Sequence, residues 1–247
     1  MISVGLSDVG SIRDRNEDSY FVSEGPVGVF EHLFVLCDGM GGHEYGEIAS
    51  QTCVQAVVDY VKNAPMNMPF YILEQAVNEA NLKVRLESDR LHYNQMGTTL
   101  VICGVVFGHA YIMNVGDSRL YLINRDAFSM RQVTRDHSYV EEMVNRGLME
   151  KNSEAYRKQK HIITKAIGVY GEISPDAFEL ELVEGDMLLL CSDGLSNMLS
   201  NVVIKNLALD ASFNLQKRAE TLIYEANFAG GRDNITVILA ECEEEDA

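Results

Sequence analysis

Apolar residues along this chain recur with two periods. Short runs predict strands at residues 2–9, 19–23 and 32–37, the last ending at Asp38-Gly39. A spacing of three to four then takes over at Ile48, Thr52/Cys53, Ala56/Val57 and Tyr60/Val61, and again at Leu73, Ala76/Val77, Ala80 and Val84. It predicts two helices, the second over about 71–87, with Pro65 and Pro69 as breakers between them.

A β-rich block follows at 98–107, 110–115 and 119–123, with glycine-containing turns between the runs. Residues 136–171 are polar and mixed, and read as helix followed by mobile loop. Residues 187–191 form another buried strand near Asp193-Gly194. Helices are expected at 197–207 and 215–227, the latter stopped by Gly230-Gly231, and 235–240 closes as a strand. Strands gathered around helical blocks, without regular βαβ alternation, predict an α+β class. No repeat or linker divides the chain, so one domain over 1–247 is expected.

Composition narrows the function. Of 247 residues, 37 are Asp or Glu and 20 are Lys or Arg, giving a net charge of −17, with 47% apolar residues. That is enough apolar content for a packed core, and such a charge repels phosphate backbones, so no nucleic-acid partner is expected. Glu241, Glu243, Glu244, Glu245 and Asp246 make an acidic tail over about 241–247, but the body stays acidic without it. The five cysteines (Cys37, Cys53, Cys103, Cys191, Cys242) include no Cys-x-x-Cys pair, a poor basis for disulfides or zinc. Residues 1–8 lack a signal-peptide pattern and no run is long enough to span a bilayer, so a cytoplasmic protein without membrane insertion is expected.

The candidate chemistry is acidic. Two apolar strands, at 33–37 and 187–191, lead into Asp38-Gly39 and Asp193-Gly194. A strand buried on both faces delivers its last residue to a fixed place at the rim of the core. Two carboxylates so delivered suit a divalent-cation site on oxygen ligands, although Asp-Gly is also a common turn dipeptide. Glu17, Asp18, Asp117 and Asp233 stand beside other strand-like runs. Arg13 has two readings: a planar fork clamping a phosphate, or a salt bridge to Asp14 or Glu17. His43, after the glycine-rich turn, either touches substrate or serves the turn itself. The glycine-rich turn at 39–44 has the setting of a dinucleotide loop but Glu44 in place of its last glycine.

At these residues the sequence resembles the metal-dependent protein phosphatases of type 2C (PPM), in their compact bacterial form. The resemblance rests on an ordered set of motifs along nearly the whole chain. These are Ser7-Asp8-Val9-Gly10 with Arg13-x-x-Asn16-Glu17-Asp18, Cys37-Asp38-Gly39-Met40-Gly41-Gly42-His43, and Met96-Gly97-Thr98-Thr99. Val115-Gly116-Asp117-Ser118-Arg119, Thr134-Arg135-Asp136-His137-Ser138, Ile163-Thr164-Lys165-Ala166-Ile167-Gly168, Ser192-Asp193-Gly194-Leu195 and Gly231-Arg232-Asp233-Asn234-Ile235-Thr236-Val237 follow in order.

The resemblance implies a central antiparallel β-sandwich flanked by helices on both faces, a four-layer αββα arrangement with a mobile flap over about 136–161. It implies two Mn²⁺ or Mg²⁺ ions bridged by Asp38, with the Gly39 carbonyl, Asp193 and Asp233 as further ligands. Glu17 and Asp18 would act through water, and Asp117 with Asp193 would hold a weaker third ion. Arg13 would bind the substrate phosphate, and a cation-activated water would hydrolyse phosphoserine and phosphothreonine in proteins. Implied partners are those phosphoproteins, a Ser/Thr kinase and its targets, with the enzyme a monomer.

Three departures from the family pattern stand out, one of them Arg157-Lys158 in place of a frequent His-Pro in the flap. Asn197 replaces an Asp that commonly supports the third ion, which weakens the expectation of that site. Met40 stands where eukaryotic relatives carry a His proposed as general acid. The basic run Arg157-Lys158-Gln159-Lys160 in the flap either meets acidic substrate segments or is a solvated loop. Two other readings remain: a phosphatase of the same fold specific for an anti-anti-sigma-type regulator, and a non-catalytic, metal-dependent phosphoprotein-binding module.

Overall fold

A computed structural model of the chain describes residues 1–41, 45–93, 95–151, 153–169 and 171–243. His43, Gly42 and Glu44 of the glycine-rich turn, and Glu244, Glu245 and Asp246 of the tail, lie outside the described residues.

Two antiparallel sheets form the centre. The first has the order β1 (Ile2–Asp8), β11 (Ile235–Glu241), β10 (Asp186–Cys191), β7 (Arg119–Asn124) and β8 (Ser129–Gln132). The second has the order β2 (Asp18–Val22), β3 (His32–Met40), β5 (Leu100–Val106), β6 (His109–Val115) and β9 (Asp176–Glu181), and the short β4 (Gly97–Thr98) also pairs with β3.

The continuous apolar runs are explained by what lies on each side of the sheets. In β3, Phe34 and Leu36 enter the core that also holds Leu188, Leu190 and Ile238 of the other sheet. Leu33, Val35 and Cys37 point the other way, onto α1 (Tyr45–Asn63) and α2 (Pro69–Arg90). The opposite sheet repeats the device: Met187, Leu189 and Cys191 of β10 pack with Ile204 of α6 (Asn201–Ala208) and Leu222 of α7 (Leu215–Phe228). Period-two alternation therefore sorts each strand between two cores, and the layers run helix, sheet, sheet, helix. A fully buried side chain such as Phe34 contributes roughly 1.5–3 kcal/mol by leaving water.

Several local expectations change. β3 does not stop at Asp38-Gly39; it runs on to Met40, because Gly39 and Met40 pair with Thr98 and Gly97 of β4. Pro69 starts α2 as its first residue, where a missing N–H costs nothing, rather than standing between helices. The helix expected over 197–207 starts later, as α6, with the Ser200 hydroxyl accepting from Val203 N–H, and a short helix not expected from the sequence, α5 (Asp193–Ser196), precedes it. Within the expected flap lie α3 (Tyr139–Asn145) and α4 (Glu154–Gln159), capped by Ser138 and Ser153. Strands β8 and β9 were not expected. For β9 a signal was present, since Phe178 and Leu180 alternate with Glu179 and Glu181.

Candidate active site

The acidic residues singled out in the sequence gather at one end of the sandwich, each held by a different element. Asp18 opens β2 and is paired in register with Asp38 near the end of β3. Asp193 begins α5, one residue beyond the end of β10 at Cys191 and after the N-cap Ser192, Asp233 precedes β11, and Asp117 lies in the turn between β6 and β7. Antiparallel pairing brings these ends together, because the start of one strand lies beside the end of its neighbour.

Asp18 is buried and fixed by the opposite sheet. Its Oδ2 accepts from Ser192 Oγ at 2.8 Å and from Thr236 Oγ1 at 2.6 Å. Since Thr236 donates there, its oxygen accepts from Ser7 Oγ at 2.7 Å, and Ser7 accepts in turn from Asn16 Nδ2 at 2.8 Å. This directed chain leaves Asp18 Oδ1 buried without a hydrogen-bond partner. Asp193 Oδ1 and Glu17 Oε1 are buried and unpartnered as well.

Asp38 is placed by its backbone. Its N–H donates to Thr99 Oγ1 at 2.9 Å, and its carbonyl accepts from Thr98 Oγ1 and Thr99 N, each at 2.9 Å. Gly39 N–H donates to the Glu17 carbonyl at 3.1 Å. A Cβ on Gly39 would fall 2.1 Å from the Gly46 carbonyl oxygen, so only glycine lets the start of α1 approach β3 so closely.

The field at this end is strongly negative. Burial, then Asp18, Asp193, Asp117 and Asp233 in turn, holds the Asp38 carboxyl well above the usual carboxylate range. Burial likewise pushes up Asp18, Asp117 and Asp193, with Asp193 as the first charged contributor at Asp117 and Asp233 at Asp193. One cation faces the group from the loop after β1: Arg13 Nη2 donates to Asp233 Oδ2 at 2.9 Å, and Nη1 lies 3.9 Å from Glu17. Arg13 therefore engages Asp233 first, a partner not among those its sequence neighbourhood suggests.

Among the described residues, no three acidic, imidazole or thiol groups are already arranged as a finished cation-binding group. The side chains nevertheless suit one. Three buried carboxylate oxygens lack donors, the surrounding carboxyls are destabilised by burial and then by mutual repulsion, and every available donor is a hard oxygen, as Mn²⁺ and Mg²⁺ prefer.

Comparison with known proteins identifies the family. The model of the family described as "Protein phosphatase 2C" matches residues 13–220. The chain belongs to the protein phosphatase 2C family. It is 36% identical over 245 residues to the serine/threonine phosphatase stp of Listeria innocua, covering 95% of this chain and 93% of that one. The structure of the S. agalactiae serine/threonine phosphatase matches with a TM-score of 0.90 at 34% identity, over 98% of this chain and 99% of that one. The catalytic domain of the phosphatase PstP, solved with two manganese ions, matches with a TM-score of 0.82 at 32% identity over 97% of each chain.

Two residues that stood in the sequence motifs without an assigned role support this end of the sandwich. Buried Asn234 is a three-way brace: its Oδ1 accepts from Glu17 N–H at 2.8 Å, while Nδ2 donates to the carbonyls of Val9 at 2.9 Å and Arg15 at 2.8 Å. His137 Nδ1 accepts from Gly116 N–H at 3.1 Å, beside Asp117, and its other ring nitrogen lies 3.1 Å from Asp176. Neither side chain has a spacing signal; each acts across the fold. Among the described residues, no helix is long and apolar enough to cross a membrane.

Proposed function

We propose that this chain removes phosphate from phosphoserine and phosphothreonine in cytoplasmic proteins, with Mn²⁺ or Mg²⁺ held by the carboxylates at the end of the sandwich. The observation that carries the reading is the set of buried, unpartnered oxygens on Glu17, Asp18 and Asp193 beside the repelling Asp38. Asp38, the Gly39 carbonyl, Asp193 and Asp233 would be direct ligands, Glu17 and Asp18 would act through water, and Asp117 with Asp193 would offer a weaker place. Divalent cations there would offset the negative field that otherwise repels a phosphate dianion, and would make hydroxide available at neutral pH.

The chain's own residues do the rest. Ser192 and Thr236 hold one oxygen of Asp18 and leave the other, buried, without a donor. Arg13, half-exposed at the rim, would exchange part of its contact with Asp233 for phosphate oxygens and stabilise the charge that develops on them. A cysteine nucleophile is disfavoured: all five thiols are buried, and burial pushes those of Cys37, Cys103 and Cys191 up. A cognate Ser/Thr kinase would supply the phosphoproteins, and the chain would act as a monomer.

The test is phosphate release from a phosphothreonine peptide, titrated with Mn²⁺ and with Mg²⁺, and repeated with EDTA and with Asp38→Asn. Release that needs the cation and is lost in the variant is expected. Folded, cation-loaded protein that binds the peptide without releasing phosphate would instead make it a phosphoprotein-binding module.

A further inference from the structure

The basic run of the flap divides by environment. Arg157 and Lys158 are exposed, and Lys158 is engaged by Glu154 at 2.7 Å within α4. Lys160, the residue that ends α4, is half-buried and turned toward the carboxylate cluster. Its Nζ donates to Asn197 Oδ1 at 2.8 Å, and Asn197 Nδ2 donates to Asp193 Oδ2 at 2.8 Å. The amide is thus used at both ends, its acceptor on an ammonium and its donor on a carboxylate, and only one orientation satisfies both.

Asn197 lies at the surface. Its backbone N–H also donates to the Asp193 carbonyl, at 2.7 Å, so side chain and main chain are both tied to the same aspartate. The path from flap to cluster therefore has two side-chain hydrogen bonds, joined through one asparagine. The Lys160 charge is felt at its end, where it opposes the upward push on Asp193. A carboxylate at position 197 would bind Lys160 more strongly but would repel Asp193; the amide accepts from one and donates to the other.

We propose that Lys160 is a resident cation for Asp193, docking α4 of the flap against the cluster through Asn197. A divalent ion approaching Asp193 from that side has to displace it. Flap docking and occupancy of that side of Asp193 are then mutually exclusive, so the flap carries its own counter-charge into the site. The second half of this inference rests on reading the cluster as a cation site; the docking itself does not.

Hydrogen–deuterium exchange of the full-length protein in EDTA tests the docking without reference to metal. Lys160→Met and Asn197→Ala should each speed exchange of the α4 amides about fivefold, the scale of losing one hydrogen bond, with β10 unchanged. Asn197→Asp keeps an acceptor for Lys160 and should keep α4 protected. Unchanged α4 exchange in both Lys160→Met and Asn197→Ala, or loss of protection in Asn197→Asp, would overturn the docking.

Titration with Mn²⁺, with free ion read by electron paramagnetic resonance, tests the exclusion. The weakest-bound ion should bind about fivefold tighter in Lys160→Met than in the parent. Equal or weaker binding would overturn the exclusion. If neither protein binds Mn²⁺ at all, the cation-site reading falls, while the docking stands or falls on the exchange data alone.

Discussion

Asp18 and Asp38 are directly opposed in the β2–β3 ladder, which puts two acidic side chains side by side at the rim of one sheet. Like charges so placed are destabilising unless something offsets them. The fold nevertheless commits strong restraints to both: two hydroxyl donors on Asp18, and three hydrogen bonds to the backbone of Asp38. A pair fixed against its own repulsion indicates stability given up for a site.

Asp38→Asn separates the two roles. Removing one charge from the cluster should raise the melting temperature of cation-free protein by about 2–4 °C, the shift for about 1 kcal/mol in a chain of this size. The same change should lower phosphate release on the order of a thousandfold, because the neutral amide neither offsets a cation nor stabilises the charge around it. Thermal melts in EDTA, set beside turnover with Mn²⁺, check both signs.

Much of this site was legible in the sequence. Asp38 and Asp193 come just after two runs, 33–37 and 187–191, that are apolar throughout, and such runs can only lie between two packed layers, so their ends are fixed in space. What stayed hidden depends on contacts between distant segments. Asn234 braces Glu17, 217 positions away, and a lone asparagine carries no period to betray it. The continuation of β3 past Asp38 was missed because β4, only two residues long, makes no recognisable run. The flap helices are short and capped by single serines, too brief for an apolar stripe to be read.

Stability of the cation-free protein should fall as pH rises through neutrality. Burial, then neighbouring carboxylates, pushes Asp117 up to about 7 and Asp193 to about 6; burial also pushes Asp18 up to about 7, and Asp38 lies well above its usual value. Each is raised in the fold, so its contribution is fully present below about pH 4 and is lost as pH climbs through the folded value. His137, lowered by burial and then by Lys165, acts oppositely: its contribution fades as pH falls below about 6.5. Four carboxyls outweigh one imidazole. Melting temperature in EDTA should therefore drop between pH 5 and 7.5, and saturating Mn²⁺ should remove the drop. A rise over that interval would show that the carboxyls are not held together as described.

Gly194→Ala should unsettle the site without touching a ligand. A Cβ there would come 1.9 Å from the Asn234 carbonyl oxygen, which is main chain and cannot rotate away. Either α5 or the segment leading into β11 must shift, carrying Asp193 or the Asn234 brace with it. A loss of about 1–3 kcal/mol is expected from such overpacking, read as a lower urea midpoint with an unchanged slope. Activity should fall further than the loss of folded protein accounts for.

Arg13 should matter for substrate rather than for folding. Its side chain is 47% exposed, and its bond to Asp233 is solvent-accessible, where an ion pair contributes about 0–1 kcal/mol. Arg13→Ala should leave the melting temperature within about 2 °C while lowering kcat/KM roughly 10–100-fold, the scale of one lost charge-assisted contact to phosphate. Arg13→Lys should recover only part of this, since an ammonium restores the charge but not the planar fork. If Arg13→Ala turns over the phosphothreonine peptide at the parental rate, the guanidinium serves only to hold Asp233, and phosphate must be gripped elsewhere.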